Sequence, residues 1–323
     1  MSDRSAAMLL RFRKRFREVR WIKRVLSTLF EVLFRLDPIV PMSLTVKLMY
    51  YGIMGKKLDL ESPRDFNEKV QWLKVYYRNP LLVQCADKYR VRDYVAGCGL
   101  NHILNEVYAV YEDAEDIDFR QLPQRFVMKT NNGCKTLIIC NDKDALNQYE
   151  IKKTFKRWLK QRMGYMAGEY HYNCIRPLII VEKNLSLVDG TLPVDYKVFC
   201  FNGQPHYVSV LIDRDEDTLV PKKRAVFDFR WNAQDFVLPH YYADPALFPR
   251  PKCLDEMYNI AKRLAAPFPF VRVDLYEIDG KIVFGELTFT PSAGFGRAFT
   301  QQCLDHFGGL LTLPPKSSTR SWF

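Results

Sequence analysis

From Leu9 to Leu36, apolar residues recur at steps of three and four: Leu9, Phe12, Phe16, Val19, Ile22, Leu26, Leu29, Leu33 and Leu36. The period predicts an amphipathic helix, and Arg11, Arg13, Lys14, Arg15, Arg17, Arg20, Lys23 and Arg24 make its first half basic. Such a helix either lies on an anionic membrane surface or docks on the protein's own core. Asp37-Pro38 and Pro41 close this arm. Helical spacing returns over Asn67 to Tyr77, introduced by Ser62-Pro-Arg-Asp-Phe-Asn67, and over Lys88 to Ala96. It returns again over 252–266, where Leu254, Met257, Tyr258, Ala261 and Leu264 share a face. A basic helix capped by Asp144 and running to about Arg162 is also expected.

Between these helices the pattern is that of strands. Phe126 to Thr130 and Thr136 to Cys140 flank the polar loop Asn131-Asn-Gly-Cys-Lys135, and Pro177 to Leu185 reads as a buried strand. A loop of this kind folds over phosphates through backbone N–H groups or simply closes an ordinary hairpin. Asp195 to Phe201, Asn202-Gly203 and Gln204 to Arg214 form a hairpin with a two-residue type I′ turn, which brings Asp195, Lys197 and Arg214 to one face. Phe270 to Phe289 forms a second hairpin around Asp279-Gly280. With a three-residue loop ending at Lys281, Asp274 stands opposite Glu286 and Arg272 opposite Thr288. The other face then carries Val271, Val273, Leu275, Val283, Leu287 and Phe289. Two facing carboxylates repel unless a cation neutralises them, and a hard ion such as Mg2+ fits, although a solvated hairpin face is the alternative.

Composition narrows the picture. Of the net charge of +11, residues 1–36 hold +7, from ten Lys/Arg against three Asp/Glu, so the body is only weakly basic and nucleic-acid binding is not expected. Eight cysteines show no Cys-x-x-Cys and no paired histidine spacing, which fits reduced thiols in a cytoplasmic protein. No uncharged apolar run approaches a membrane span, and no signal peptide is read at the start.

Several runs taken together carry a resemblance. They are Leu58 to Lys69 with Trp72, Ala86-Asp-Lys-Tyr-Arg-Val-Arg92, Leu122-Pro123 before Phe126-Val-Met-Lys129, Asp195-Tyr-Lys197, Asp213-Arg214, and Arg272-Val-Asp274 through Gly285-Glu-Leu-Thr-Phe-Thr-Pro291. Over about residues 45–300 the chain resembles the TupA-like ATP-grasp family of bacterial polysaccharide biosynthesis, whose members are often labelled glycosyltransferases. The resemblance implies an α+β, ATP-grasp fold in which two α+β subdomains clasp a nucleotide behind a helical N-terminal region. The expected parts are a basic helical arm (1–40), a mainly helical domain (41–125), a small lid subdomain (126–190), a large subdomain with the metal hairpin (191–310) and a tail (311–323).

It also implies roles. Lys129 would hold the α/β-phosphates beneath a lid that Gly133 lets approach, and Glu182 would accept from the adenine amino group beside a backbone hinge at Lys183 to Leu185. Lys197, Arg214 and Arg272 would neutralise the transferring phosphate; Asp274, Glu286 and Thr288 would hold Mg2+. Where the family commonly has a His-Gly-Ser-Gly loop, this chain reads Asn132-Gly-Cys-Lys135, which makes Lys135 a further expected phosphate contact.

The implied activity is ATP- and Mg2+-dependent ligation of a carboxylate to an amine through an acyl phosphate, catalysed by positioning and charge neutralisation rather than by a side-chain nucleophile. The expected partners are a small amine or amino acid, a glycan or sugar acid, and an anionic membrane surface met through residues 9–36 on the inner face of the cytoplasmic membrane. A nucleotide-sugar glycosyltransferase and a degenerate nucleotide-binding ATP-grasp protein are the competing readings.

Overall fold

The computed structural model describes residues 20–37, 39–187, 191–214 and 221–317, with the side chains of 20–26, 213–214 and 221–222 left aside. The first half of the basic arm, residues 318–323 of the tail and the side chain of Arg214 therefore lie outside the described residues. Helices α1 (Arg20–Arg35), α2 (Met42–Met54) and α3 (Phe66–Tyr76) open the chain, followed by short α4 (Pro80–Ala86) and α5 (Val91–Gly97). The start of α3 is set by a capping box, in which Asp65 accepts from the Glu68 amide and Glu68 reaches back to the Asp65 amide.

A four-stranded antiparallel sheet follows, with β1 (Val107–Tyr111), β2 (Phe126–Thr130), β3 (Leu137–Cys140) and β4 (Ile179–Lys183) in the order β1-β4-β2-β3. Its first strand comes from the stretch expected to be mainly helical, ahead of residue 126. Helix α6 (Gln148–Leu159) covers one face, packing Ile151 and Phe155 against Phe126, Met128, Ile179 and Val181. Asn147 caps this helix, not Asp144: its side chain accepts from the Glu150 amide at 3.1 Å, the three-residue spacing a cap requires. Asp144 stands one turn too early and instead accepts from Gln124 at 2.9 Å.

Beyond a single helical turn, α7 (Gly164–Ala167), comes a five-stranded antiparallel sheet in the order β7-β6-β5-β8-β9. Its strands are β5 (Asp195–Phe201), β6 (Gln204–Arg214), β7 (Pro221–Phe227), β8 (Phe270–Ile278) and β9 (Lys281–Thr288). Helix α8 (Leu254–Ala265) covers one face through Leu254, Met257, Ala261 and Leu264. Helix α3 and α9 (Gln301–Leu310) cover part of the other. There Phe66 meets Phe199, Phe201, Phe270 and Phe307 at ring-centroid distances of 4.8–6.3 Å, with interplanar angles of 64–88° that favour edge-to-face contact.

Two bulges set which residues share a face. In the β8–β9 hairpin the turn is two residues long, Asp279 and Gly280 at φ 51° and 73°, rather than three. The expected pairs Asp274–Glu286 and Arg272–Thr288 nevertheless form, because a bulge at Gly285 absorbs the extra residue. Only glycine fits there, since a Cβ would stand 2.9 Å from the Asp274 carbonyl oxygen and 3.1 Å from the Tyr276 ring. Beyond the bulge the faces exchange, so Ile282 and Phe284 enter the core in place of Val283.

The β5–β6 turn is the expected type I′ at Asn202-Gly203 (φ 50° and 76°), but a bulge follows at once, with Cys200 opposite Pro205 and Phe199 opposite Tyr207. Pro205 has no N–H to give the ladder, and His206 becomes the extra residue. Ser209 and Leu211 are thereby set opposite Lys197 and Asp195. The expectation that Arg214 shares the Lys197 face concerns a side chain outside the described residues.

Candidate nucleotide cleft and charged sheet face

On the face of the large sheet that α3 and α9 cover in part, Lys197, Arg272, Asp274, Glu286 and Thr288 form one row. Arg272 grips Asp274 in a fork, Nε to Oδ1 and Nη2 to Oδ2 at 2.6 Å each, and also donates to Thr288 Oγ1 at 3.0 Å. Lys197 pairs with Asp274 and, at 2.8 Å, with Asp195. Glu286 takes Thr288 Oγ1 at 3.1 Å on one oxygen and Lys88 Nζ at 3.2 Å on the other.

Burial dominates this row. It raises the Asp274 carboxyl above its ordinary value, in spite of Arg272 and Lys197. At Glu286 burial also opposes the charge, but Lys88, Arg272 and Lys197 outweigh it and hold the carboxyl well below the usual carboxylate range. The Arg272 guanidinium is raised: the pull of Asp274 and Glu286 exceeds its cost of burial.

A cleft of about 170 Å3 opens between the two sheets. Lys129, Glu182, Lys183 and Leu185 line it from the small sheet, and Tyr276, Phe284 and Gly285 from the large one. Lys129 Nζ is 2.6 Å from Glu182 Oε1, on neighbouring strands with both side chains largely buried. Val127, Leu137 and Ile139 supply an apolar wall of the kind a flat heteroaromatic ring fills.

Lys88 connects this cleft with the charged row. It lines the cleft, donates to the Gly133 carbonyl oxygen at 2.9 Å and pairs with Glu286. Gly133 is buried, and Met163 occupies the space where a Cβ would stand, 2.8 Å away. Lys135, at φ 60°, is exposed. The loop is anchored from below: Asn131 accepts from the Leu178 amide at 2.7 Å and donates to the Arg176 carbonyl at 3.0 Å.

Two residues here were missed from the sequence. Lys88 sits inside a run that carries the resemblance, but nothing local shows that it spans from a loop 45 residues away to the β9 carboxylate. Arg224 on β7 lies opposite Leu211 and so on the Lys197 face, a placement that depends on the bulge at Pro205.

Two antiparallel sheets, with a strand lysine and glutamate on one and an Arg-x-Asp…Glu hairpin on the other, are what the resemblance to ATP-grasp proteins implies. A model of the TupA-like ATP-grasp family matches residues 68–311, and the chain belongs to that family. Residues 68–311 thus carry the family's ATP-grasp fold. Among solved structures it is similar to D-alanine–D-alanine ligase from Bacillus anthracis, with 16% identity over 73% of this chain and 68% of that one, at a TM-score of 0.45. It is also similar to the ATP-grasp ligase PsnB, with 12% identity over 69% of this chain and 58% of that one, at 0.36. Phosphoribosylglycinamide synthetase from Anaerococcus prevotii shows 12% identity over 69% of this chain and 48% of its own length, at 0.36. No curated protein gives a significant match.

Proposed function

We propose that the protein joins a carboxylate to an amine at the expense of ATP, by way of an acyl phosphate, during assembly of a cell-surface glycan. The observation that carries this reading is Lys88, which ties the small-sheet loop and the nucleotide cleft to the same carboxylate, Glu286, that belongs to the charged row. The adenine would lie against Val127, Leu137 and Ile139 beside Glu182, with Lys129 and Lys88 along the phosphates. Lys197 and Arg272 would neutralise the transferring phosphate as the carboxylate oxygen attacks, a step in which anion approaches anion. Lys135 would reach phosphate only as its loop closes.

Asp274, Glu286 and Thr288 offer only oxygen donors, which suits Mg2+, and bound there the ion would offset charge on the phosphates. Among the described residues no cluster of three or more His, Cys, Asp or Glu could hold an ion unaided, so phosphate and water would complete its shell.

The setting is supported by α1 and α2. Phe34 is buried against Tyr170, while Leu29 and Val32 on α1, Leu36 just after it, and Leu44, Leu48 and Tyr51 on α2 are exposed. Behind a segment carrying +7, that apolar face suits an anionic membrane holding a lipid-linked substrate. Among the described residues no helix is long and apolar enough to cross a membrane.

The test is phosphate and ADP release by purified protein given ATP, Mg2+ and pools of amino acids and sugar acids. Asp274→Asn is expected to cut turnover ~100-fold or more with folding intact, the scale seen when one charge-stabilising group is lost. Unchanged turnover refutes the site, and release of a nucleoside diphosphate from a sugar donor without ATP consumption favours the glycosyltransferase reading.

A further inference from the structure

Beside the charged row lies a second, smaller cavity of about 40 Å3, where Lys197, Ser209, Arg224 and Arg272 of the large sheet meet Ser292 and Gly296 of the following loop. None of these six lines the larger cleft. Among the described residues, two of its polar groups have no hydrogen-bonding partner on the protein. Ser209 Oγ is buried without a hydrogen bond. Arg224 makes no side-chain hydrogen bond or ion pair among the described residues, and its guanidinium lies over the Phe299 ring at 5.1 Å. Leaving a buried hydroxyl or a confined cation unmatched costs stability unless something else completes it.

The opposite wall is held in an unfavourable backbone shape. Ser292, Ala293 and Gly294 all take left-handed φ values, 51°, 52° and 74°, which for the two non-glycine residues is strain of the kind retained at functional sites. One face of α3 maintains it. Gln71 donates to the carbonyls of Ala293 and Gly294 at 3.0 Å each, Lys74 to Ala293 at 2.9 Å, and Asn67 bonds Gly296 in both directions.

We infer that this cavity seats the carboxylate of the acidic co-substrate, gripped by Arg224 and the Ser209 hydroxyl, with Lys197 and Arg272 flanking both the carboxylate and the transferring phosphate so that its free oxygen reaches the phosphorus. This rests on the ligase reading above. The volume admits a carboxylate and its adjoining carbon but not a sugar ring, so the remainder of the acid extends from the mouth. Charge points the same way: burial and the neighbouring Arg272 bring Arg224 down to about 10 against the pull of Asp195, so both guanidiniums carry charge at neutral pH and a further anion beside Arg224 is favoured.

The test compares wild type with Arg224→Gln, Arg224→Lys and Ser209→Ala, each checked for an unchanged melting temperature. ADP release is followed at saturating Mg–ATP while the acid that stimulates it most is titrated. Arg224→Gln is expected to raise KM for the acid ~10-fold or more, as for loss of a charge-assisted hydrogen bond, with Arg224→Lys between it and wild type and KM for ATP unchanged. Ser209→Ala should raise the acid KM by a smaller factor. An unchanged acid KM in Arg224→Gln, or an ATP KM that rises in step, overturns the inference while leaving the ligase reading intact. A second arm needs no turnover: 19F line broadening of trifluoroacetate, the carboxylate probe, should be weaker with Arg224→Gln than with wild type. Equal broadening overturns the carboxylate seat whether or not any acid supports ADP release.

Discussion

The small sheet is covered on one face and the large sheet on both, and the difference shows in their strands. Along β2, buried Phe126, Met128 and Thr130 alternate with half-buried Val127 and Lys129, so every second residue is free to face the cleft. Along β5, six of seven residues are buried and the exception, Lys197, belongs to the charged row. A sheet packed from both sides spares only one end of one face for polar chemistry, and the side chains there are held by forks and pairs. The small sheet offers a longer, mostly apolar face with one ion pair, which suits a flat ring. One sheet provides fixed charges, the other a surface to close over a nucleotide.

The sharpest way to break this contrast is to weaken what covers the second face of the large sheet. Phe66→Ala removes the ring that four other phenylalanines surround and is expected to cost ~3–5 kcal/mol, read as a lowered denaturant midpoint. A loss below ~1 kcal/mol would mean that α3 is not integral to that core. On the small sheet the effects should be milder. Asn147→Ala removes the α6 cap and should cost ~1 kcal/mol, whereas Asp144→Ala, which loses an exposed hydrogen bond, should stay within ~0.5 kcal/mol. The reverse order would return the cap to Asp144.

Local chemistry made much of this legible. Asn-Gly announced a type I′ turn and Asp-Gly a second hairpin, and alternation marked the strands around residues 126–140 and 195–201. The pairing of Asp274 with Glu286 was readable too, though a short turn plus a bulge produces it rather than a long turn. Bulges are what the chain hides. Gly285 is demanded by the Asp274 carbonyl across the hairpin, and Pro205 shifts the parity of β6, so the faces of Ser209 and Leu211 could not be read by counting. Lys88 and Arg224 were invisible for a related reason: both acquire their positions from contacts with distant strands, and no spacing in the sequence records them.

The central claim is that both sheets hold one nucleotide, and hydrogen exchange with and without Mg–ATP tests it most directly. Slowed exchange is expected together in the loop at 131–136, the hinge at 183–187 and the end of the hairpin at 284–288. Protection confined to one sheet, or absent from both, would contradict it.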